Sequence, residues 1–233
     1  MSITKRGIWM PAEDSVLSKV EADPMIRLLD TPIVQHKVTL LRNKETGMKD
    51  TNELVRELGA ITLYEMSHDL PMQTISVETP MTGTDSLELA GRKPALVKIL
   101  RAGSVMVDGA RMFIMPTAKV ATIGMHRNPD DITDPVGYFD KIPEDMSERE
   151  AFILDPMLAT GYSAEKAIRM LKEEGCQKIH FATIFSVWDG IELLRTKHPD
   201  VNLCLCVVDH HLDDNYYIIP GAGDMGDRLD GTI

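Results

Sequence analysis

The sequence has no run of eighteen or more apolar residues, so no membrane-spanning helix is predicted. An excess of positive charge is also missing, because 25 Lys and Arg are outnumbered by 36 Asp and Glu, which gives a formal net charge of −11. Duplex nucleic acid needs a basic surface on its partner, so neither a nucleic acid nor a membrane is expected as a partner. A small phosphorylated ligand remains possible, since backbone amides and a few arginines can bind phosphate locally.

Cysteine is scarce, and Cys176, Cys204 and Cys206 have neither the spacing of a disulfide framework nor that of metal ligands. Cys204 and Cys206 alternate within an apolar stretch, which would place both side chains on one face of a strand. All three are predicted to be buried, reduced thiols. The first residues contain no apolar signal core. A cytoplasmic location is therefore expected.

What the sequence does contain is an alternation of short apolar segments with helical patterns. Strands are predicted at 74–78, 95–100, 120–124, 151–154, 179–186 and 203–208. Helices are predicted at 14–22, from 51 or 52 to 66, and at 105–114, 164–174 and 191–197. Fully apolar strands between helices favour a Rossmann-like α/β fold, a mostly parallel sheet with helices on both faces. Since no linker divides the chain, one domain is predicted at 32–233, preceded by an N-terminal arm at 1–31.

The stretch from 126 to 150 interrupts this pattern, because it is rich in Asp, Glu and Pro, with Tyr138 and Phe139 as its main apolar residues. A long polar insertion between a strand and a helix is typical of a lid or a protruding hairpin. An ordinary surface excursion is the alternative.

The most informative segment runs from an apolar strand through Asp155 and a loop of small residues to a helix that begins near Ser163. Loop amides and the positive end of a helix form a phosphate site. Asp155, at the carboxyl end of its strand, can accept hydrogen bonds from ribose hydroxyls, while Thr160 and Ser163 can donate to phosphate. Neither the Walker pattern nor Gly-x-Gly-x-x-Gly is present. The residues alone therefore indicate a phosphate loop and no particular enzyme.

The segment Asp155-Pro-Met-Leu-Ala-Thr-Gly161 resembles the phosphoribosyl-pyrophosphate signature of uracil phosphoribosyltransferases. Four further stretches are similar to the same family in the same order, and they lie at 35–40, 99–103, 143–149 and 217–228. The resemblance extends from about residue 32 to the C-terminus. It implies the type I phosphoribosyltransferase fold and the conversion of uracil and 5-phospho-α-D-ribose 1-diphosphate (PRPP) to UMP and diphosphate. It also implies Mg²⁺ as a cofactor and a homodimer or higher homo-oligomer.

The resemblance further implies roles for individual residues, with Arg101, Asp155 and Asp224 as the catalytic set. Arg101 and Arg127 would bind the pyrophosphate, Asp155 would bind the ribose, and Asp224 would contact PRPP through Mg²⁺. The residues that would form the phosphate-binding loop are Pro156, Met157, Leu158, Ala159, Thr160, Gly161, Tyr162 and Ser163. The residues that would bind uracil, largely through the main chain, are Tyr217, Ile218, Gly223, Asp224 and Met225. The reaction needs no protein nucleophile, so His36, His210 and His211 are interpreted as structural or solvent-facing.

Several residues depart from the family pattern near the proposed ligand. Tyr162 replaces a second glycine, which would be costly if the residue were left-handed, and its ring would either point outward or crowd the phosphate. The other departures are His126 before Arg127, Ser104-Val105, and the stretches 129–131 and 214–216. Two alternatives therefore stay open, a non-catalytic homologue that binds a phosphoribosyl ligand and a phosphoribosyltransferase for another base.

Overall fold

In the computed structural model, which describes residues 2–126, 128 and 130–232, the chain forms a layered α/β structure. The strands are β1 (Ser2–Ile3), β2 (Trp9–Met10), β3 (Ile26–Leu28), β4 (Met72–Glu78), β5 (Gly83–Leu89), β6 (Ala95–Leu100), β7 (Lys119–His126), β8 (Val136–Lys141), β9 (Ala151–Leu154), β10 (Met157–Leu158), β11 (Ile179–Ser186), β12 (Asn202–Val208), β13 (His211–Leu212) and β14 (Ile218–Ile219). The helices are α1 (Asp14–Ala22), α2 (Pro32–Arg42), α3 (Met48–Met66), α4 (Gly103–Phe113), α5 (Tyr162–Glu173), α6 (Trp188–Lys197) and α7 (Met225–Asp230).

One large sheet occupies the centre, with the strand order β3-β12-β11-β9-β6-β7-β8 and the short β10 paired to β11. Every pair in this sheet is parallel except β7 with β8. This is the mostly parallel sheet that the alternation of apolar strands and helices predicts. The carboxyl ends of the parallel strands therefore lie along one edge, where open α/β sheets bind ligands.

Both faces of the sheet are buried, because alternate side chains of each central strand point to opposite sides. Leu96 of β6 and Phe152 of β9 pack into one core with residues of α2, α3, α4 and α7. Their neighbours Val97 and Ile153 pack into a second core with residues of α1, α5 and α6. Helices thus cover both faces, as predicted.

The three cysteines are buried free thiols, as the sequence predicts. Cys204 and Cys206 both lie on β12 and belong to the same core, in agreement with their alternation. Burial raises the pKa of the Cys206 thiol to about 12. Such thiols are packing residues rather than nucleophiles.

Four helices begin earlier than the apolar pattern predicts, at Met48, Gly103, Tyr162 and Trp188. The first turns of these helices are short of residues that enter the core, so the 3.6-residue periodicity starts only after them. Two helices, α2 and α7, were not predicted, and neither were the strands β1, β2, β3, β5, β8, β10, β13 and β14. The signal for α2 is present, since Pro32 stands at the first helical position and the buried residues Val34, Val38 and Leu41 follow at helical spacing.

The segments outside the predicted α/β pattern also contribute to the sheet. In the stretch 126–150, β8 runs antiparallel to β7 and forms the edge strand of the sheet. Within residues 1–31, β3 pairs with β12 and Ala12 N donates to Val208 O at 3.1 Å. These contacts attach both segments to the central sheet.

Two glycines bring α3 and α4 into backbone contact. A Cβ on Gly59 would lie 2.2 Å from Met106 O, and a Cβ on Gly109 would lie 2.0 Å from Arg56 O. No side chain fits into such a gap, so glycine at both positions sets the distance between the helices. Since α4 follows directly after β6, this packing also fixes the start of the loop at Arg101.

We expect Gly109→Ala to lower the free energy of unfolding by about 2–3 kcal/mol, because the added Cβ must push α4 away from α3. For a chain of this length, that loss corresponds to a decrease in Tm of roughly 5–10 °C in a thermal melt followed by circular dichroism. Gly137→Ala on β8 is the control, since a Cβ there meets nothing within 4 Å. Equal melting temperatures for the two variants would contradict the tight helix contact.

Candidate active site

The carboxyl ends of β6 and β9 open onto a cavity of about 460 Å³. Its wall combines the end of β6 and the residues after it, the loop between β9 and α5, the segment 216–226 and three residues of the polar insertion. The described residues that line it are Ile99, Leu100, Arg101, Ala102, Met125, His126, Ile132, Pro135, Asp155, Met157, Leu158, Ala159, Thr160, Gly161, Tyr162, Ser163, Ala164, Tyr216, Tyr217, Ile218, Gly223, Asp224, Met225 and Gly226. The cavity lies at the edge where an open α/β sheet binds its ligand, and it is the candidate active site.

The loop after Asp155 carries the chain from β9 through β10 into α5. It ends at Gly161, which has φ +86° and caps the helix, and Glu165 N donates the first helical hydrogen bond to Gly161 O at 2.8 Å. The amides of the first helical turn, including that of Ser163, have no partner inside the helix. Together with the positive end of the helix dipole, they make this part of the cavity a site for an anion such as phosphate.

The loop is held from behind by α6. A Cβ on Gly190 would lie 2.5 Å from Ala159 O, and a Cβ on Gly161 would lie 3.1 Å from Gly190 Cα. This close approach needs glycine on both sides, and it supports the loop backbone against the helix.

Tyr162 is accommodated without backbone strain. The left-handed residue of the loop is Gly161, whereas Tyr162 is the first residue of α5. The half-buried tyrosine contributes to the wall of the cavity and to that of an adjacent space of about 570 Å³ beside α6. The strained residue is Tyr216 instead, with φ +64°, and it also borders both spaces. A left-handed tyrosine costs about 1–2 kcal/mol.

Asp155 projects into the cavity from the end of β9. The one described hydrogen bond to its carboxylate is weak, since Met157 N donates to Oδ1 at 3.4 Å. Burial raises the pKa of Asp155 to about 7, and the hydrogen bond from Met157 opposes this only in part. A carboxylate so poorly hydrogen-bonded can accept donors from a ligand, and ribose hydroxyls are donors of this kind.

Arg101 follows β6 and reaches across the cavity entrance to α7. Nη2 donates to Asp227 Oδ1 and Nη1 to Asp230 Oδ2, each at 3.0 Å. Hydrogen bonds from Thr232 and from Arg101 lower the pKa of Asp227. The guanidinium is half-exposed, so a phosphate or pyrophosphate group could replace the two carboxylates as its bidentate partner.

The C-terminal segment forms the opposite wall. Ile218, in β14, is buried, and Gly223 has φ +74°. Asp224 Oδ1 accepts from Asp227 N at 3.0 Å and so caps α7. Met225, the first residue of that helix, is buried beneath the cavity wall. The wall therefore presents main-chain groups next to the carboxylate of Asp224, whose Oδ2 has no hydrogen bond among the residues that the structure describes.

The structure brings nearly all of the predicted site residues to this one cavity. Pro156 does not line it, because the residue is buried beside β11, where Phe185 N donates to Pro156 O at 2.9 Å. Arg127 lies outside the described residues. The roles given to these residues stay predictions.

Some cavity residues were not predicted. They are Ile99, Leu100, Ala102, Met125, His126, Ile132, Pro135, Ala164, Tyr216 and Gly226. Most of them are next to a predicted site residue in the sequence, so they could have been found by extending each motif by a few positions. Ile132 and Pro135 belong to the polar insertion, and their apolar character among acidic neighbours is the signal that could have identified them.

Other classes of site find no support in the described part of the chain. No group of three or more His, Cys, Asp or Glu side chains is placed to hold a metal ion among residues 2–126, 128 and 130–232. In the same residues, no helix has the length and apolar character needed to cross a membrane. His36, His210 and His211 are exposed, as predicted.

Comparison with known proteins identifies relatives over most of the chain. The sequence model of the family "Uracil phosphoribosyltransferase" matches residues 28–232. The uracil phosphoribosyltransferase of Dictyoglomus thermophilum is 48% identical over 208 residues, which cover 89% of this chain and 100% of the relative. That of Oceanobacillus iheyensis is 46% identical over 205 residues, which cover 88% of this chain and 97% of the relative.

Solved structures agree with these sequence relatives. The AQ2163 protein from Aquifex aeolicus has a TM-score of 0.83 at 32% identity, over 88% of this chain and 97% of the other. Adenine phosphoribosyl transferase from Trypanosoma brucei has a TM-score of 0.56 at 11% identity, over 88% and 90% of the two chains, and shares the fold. The predicted fold class and family are thereby confirmed. The chain belongs to the uracil phosphoribosyltransferase family.

Proposed function

We propose that this chain converts uracil and PRPP to UMP and diphosphate in pyrimidine salvage. The observation that carries the proposal is the single cavity shared by the phosphate loop, Arg101 and the C-terminal segment 217–225. A phosphate site, a pyrophosphate-binding arginine and a wall of main-chain groups match the three parts of the two substrates.

The loop 155–163 is proposed to bind the ribose 5-phosphate part of PRPP. Amides of the loop and of the first turn of α5 would bind the 5′-phosphate, with Thr160 and Ser163 as hydroxyl donors. Asp155 would accept hydrogen bonds from the ribose hydroxyls. Arg101 would bind the pyrophosphate with its planar fork, together with Arg127 from the polar insertion.

Uracil is proposed to bind to the main chain of Ile218 and Gly223, beside Tyr217 and Met225. Backbone donors and acceptors cannot exchange roles, so they match the edge of uracil and penalise cytosine, whose amino group presents a donor in place of an acceptor. Specificity for the base would therefore depend on the position of the loop backbone rather than on a charged side chain.

The reaction is proposed to be a direct displacement, in which the uracil ring nitrogen loses its proton and forms a bond to the anomeric carbon as the bond to pyrophosphate breaks. Pyrophosphate is the leaving group, and the proton is released with it. Positive charge develops on the ribose and negative charge on the leaving group. The protein aligns the two substrates and stabilises these charges without a covalent intermediate. The polar insertion would close over the cavity and exclude water, which competes as a nucleophile.

Mg²⁺ is proposed to enter the site with PRPP. Asp224 fits this role, because one of its carboxylate oxygens caps α7 and the other is available at the cavity wall. Magnesium commonly keeps one or two carboxylates and fills its other positions with water and phosphate oxygens. When bound, the ion would neutralise charge on the departing pyrophosphate.

A homodimer or higher homo-oligomer in the cytoplasm is the proposed form of the protein. The hairpin of β4 and β5 supports association, because Met72, Met81 and Leu87 on it are exposed. Exposed apolar side chains on a hairpin are common at interfaces, and a second copy of the chain would cover them.

An assay of pyrophosphate release tests the proposed function. We expect release that requires uracil, PRPP and Mg²⁺ together, and a product that co-elutes with UMP. Reactions that lack uracil, or that contain cytosine in its place, are the controls. Binding of PRPP without release would instead favour a non-catalytic homologue. Release with another base alone would favour a different base specificity.

A further inference from the structure

A buried ion pair lies directly behind the segment proposed to bind uracil. Asp209, which follows β12, is 1% exposed, and Arg42 is the last residue of α2. Nη1 of Arg42 donates to Oδ2 of Asp209 at 3.0 Å, and Nη2 donates to Oδ1 at 2.5 Å. The pair is therefore bidentate, which is the strongest and most directional form of an arginine–carboxylate contact.

The same two side chains hold both backbone groups of Gly221. Asp209 Oδ2 accepts from Gly221 N at 3.0 Å, and Arg42 Nη1 donates to Gly221 O at 2.8 Å. Gly221 has φ +53°, and a Cβ on it would lie 2.1 Å from Ile218 O. The backbone of this turn is thus fixed from two directions, midway between Ile218 and Gly223.

The surroundings keep the pair rigid. The guanidinium of Arg42 lies 4.9 Å from the ring centroid of Phe185, in a cation–π contact. Arg228 adds a second link between the same two segments, because its Nη1 donates to Leu41 O at 2.5 Å and to Ala222 O at 3.0 Å. Two arginines, Arg42 and Arg228, therefore connect the end of α2 to the segment proposed to bind uracil.

The rigidity of the turn around Gly221 matters for binding if uracil is hydrogen-bonded by main-chain groups. A side chain can change rotamer to follow a displaced ligand, but a backbone amide moves only with its loop. Errors of about 1 Å in the position of such groups can cost up to about 100-fold in rate. The pair does not line the cavity, so it can act on the base only through the backbone that it holds.

We propose that Arg42 and Asp209 are positioning residues for uracil, which set the main-chain groups of Ile218 and Gly223 at hydrogen-bonding distance from the base. This inference rests on the proposed function and adds to it the residues that determine base affinity. The phosphate loop is anchored on β11 and α6. Arg42 contacts β11 through the ring of Phe185, whereas it is hydrogen-bonded directly to Gly221, so PRPP binding should depend on the pair less than uracil binding does.

The test compares steady-state kinetics of Arg42→Gln with those of the wild type. We expect KM for uracil to rise at least about tenfold, since the hydrogen-bonding groups move with the released loop, while KM for PRPP changes less than about threefold. Arg42→Lys keeps the charge without the fork, so it should give an intermediate KM for uracil.

A matched control is available on the other side of the molecule. Arg195 on α6 donates to Asp23 at 2.8 Å and to the carbonyl of Pro199 at 2.9 Å, so it resembles Arg42 in its contacts but does not line the cavity. Arg195→Gln should lower Tm and leave both KM values within about twofold of the wild type.

Removal of Arg42 alone leaves a buried carboxylate without its partner, which could prevent folding. The double variant Arg42→Gln with Asp209→Asn removes this charge and keeps the inference testable. An unchanged KM for uracil in the folded variants overturns the positioning role, and so does an equal rise in both KM values. Absence of uracil turnover by the wild type overturns the proposed function itself, before any variant is compared.

Discussion

Asp155→Asn is expected to lower kcat/KM by about 100-fold and, at the same time, to stabilise the folded protein above neutral pH. Activity falls because the amide offers one acceptor oxygen and a donor that opposes the ribose hydroxyls, whereas the carboxylate accepts from both. Stability rises because the substitution removes a charge that the folded chain holds with a single hydrogen bond, 3.4 Å from Met157 N. Loss of function together with gain of stability is the signature of a residue retained for its ligand.

The pH dependence follows from the raised pKa of Asp155, which is about 7 in the folded chain against an ordinary value of 3.8. Between these two values the folded state binds more protons than the unfolded state, so the contribution of Asp155 to stability becomes steadily less favourable as the pH rises and levels off above about 7. The advantage of Asp155→Asn should therefore grow by on the order of 1–2 kcal/mol between pH 5.5 and pH 8 and stay constant at higher pH. Urea denaturation at each pH measures it.

Asp85→Asn provides the control for the change in net charge, since Asp85 is exposed on β5 and does not line the cavity. Its stability relative to the wild type should not vary with pH in this window. A decrease in stability for Asp155→Asn at pH 8 would mean that the carboxylate has a structural role, and wild-type kcat/KM would mean that it does not bind the ribose.

The strand, loop and helix around Asp155 could be predicted from the sequence because the information for them is local. Asp155 and Ser163 are eight positions apart, and strand, loop and helix follow one another without a break. The same holds for the central strands, which are apolar on both faces. Strand β5 could not be found in this way, since nearly all of its residues are exposed and no buried face creates an alternation.

Contacts between distant positions were beyond the sequence. Arg42 and Asp209 are 167 positions apart, and Arg101 and Asp227 are 126 apart. A single sequence shows that such residues can form pairs but not which partners the fold brings together. Tyr162 illustrates a third limit, because its backbone conformation depends on whether the helix begins before or after it. The structure places that boundary at Gly161, which takes the left-handed conformation in its place.

Arg101→Gln is expected to reduce kcat/KM for PRPP by at least about 100-fold, since the proposed bidentate, charged contact to the pyrophosphate leaving group would be lost. Arg101→Lys should recover only part of this activity, because an ammonium group is a point charge without the planar fork. Initial rates at varied PRPP and saturating uracil measure both variants. If the rates of Arg101→Gln stayed within threefold of the wild type, Arg101 would not be a pyrophosphate-binding residue.

Removal of a carboxylate that binds Arg101 should have the opposite effect on PRPP binding from removal of Arg101 itself. Asp230 accepts from Nη1 at 3.0 Å and is half-exposed, so it competes with the substrate for the guanidinium. Exposed ion pairs contribute at most about 1 kcal/mol, and Asp230→Asn should therefore lower KM for PRPP by no more than about fivefold. If the ion pair had only a structural role, the Arg101 variant and the Asp230 variant would both lose activity. Effects of opposite sign for Arg101 and Asp230 would instead identify the contact as the resting state of an arginine that pyrophosphate draws away from α7.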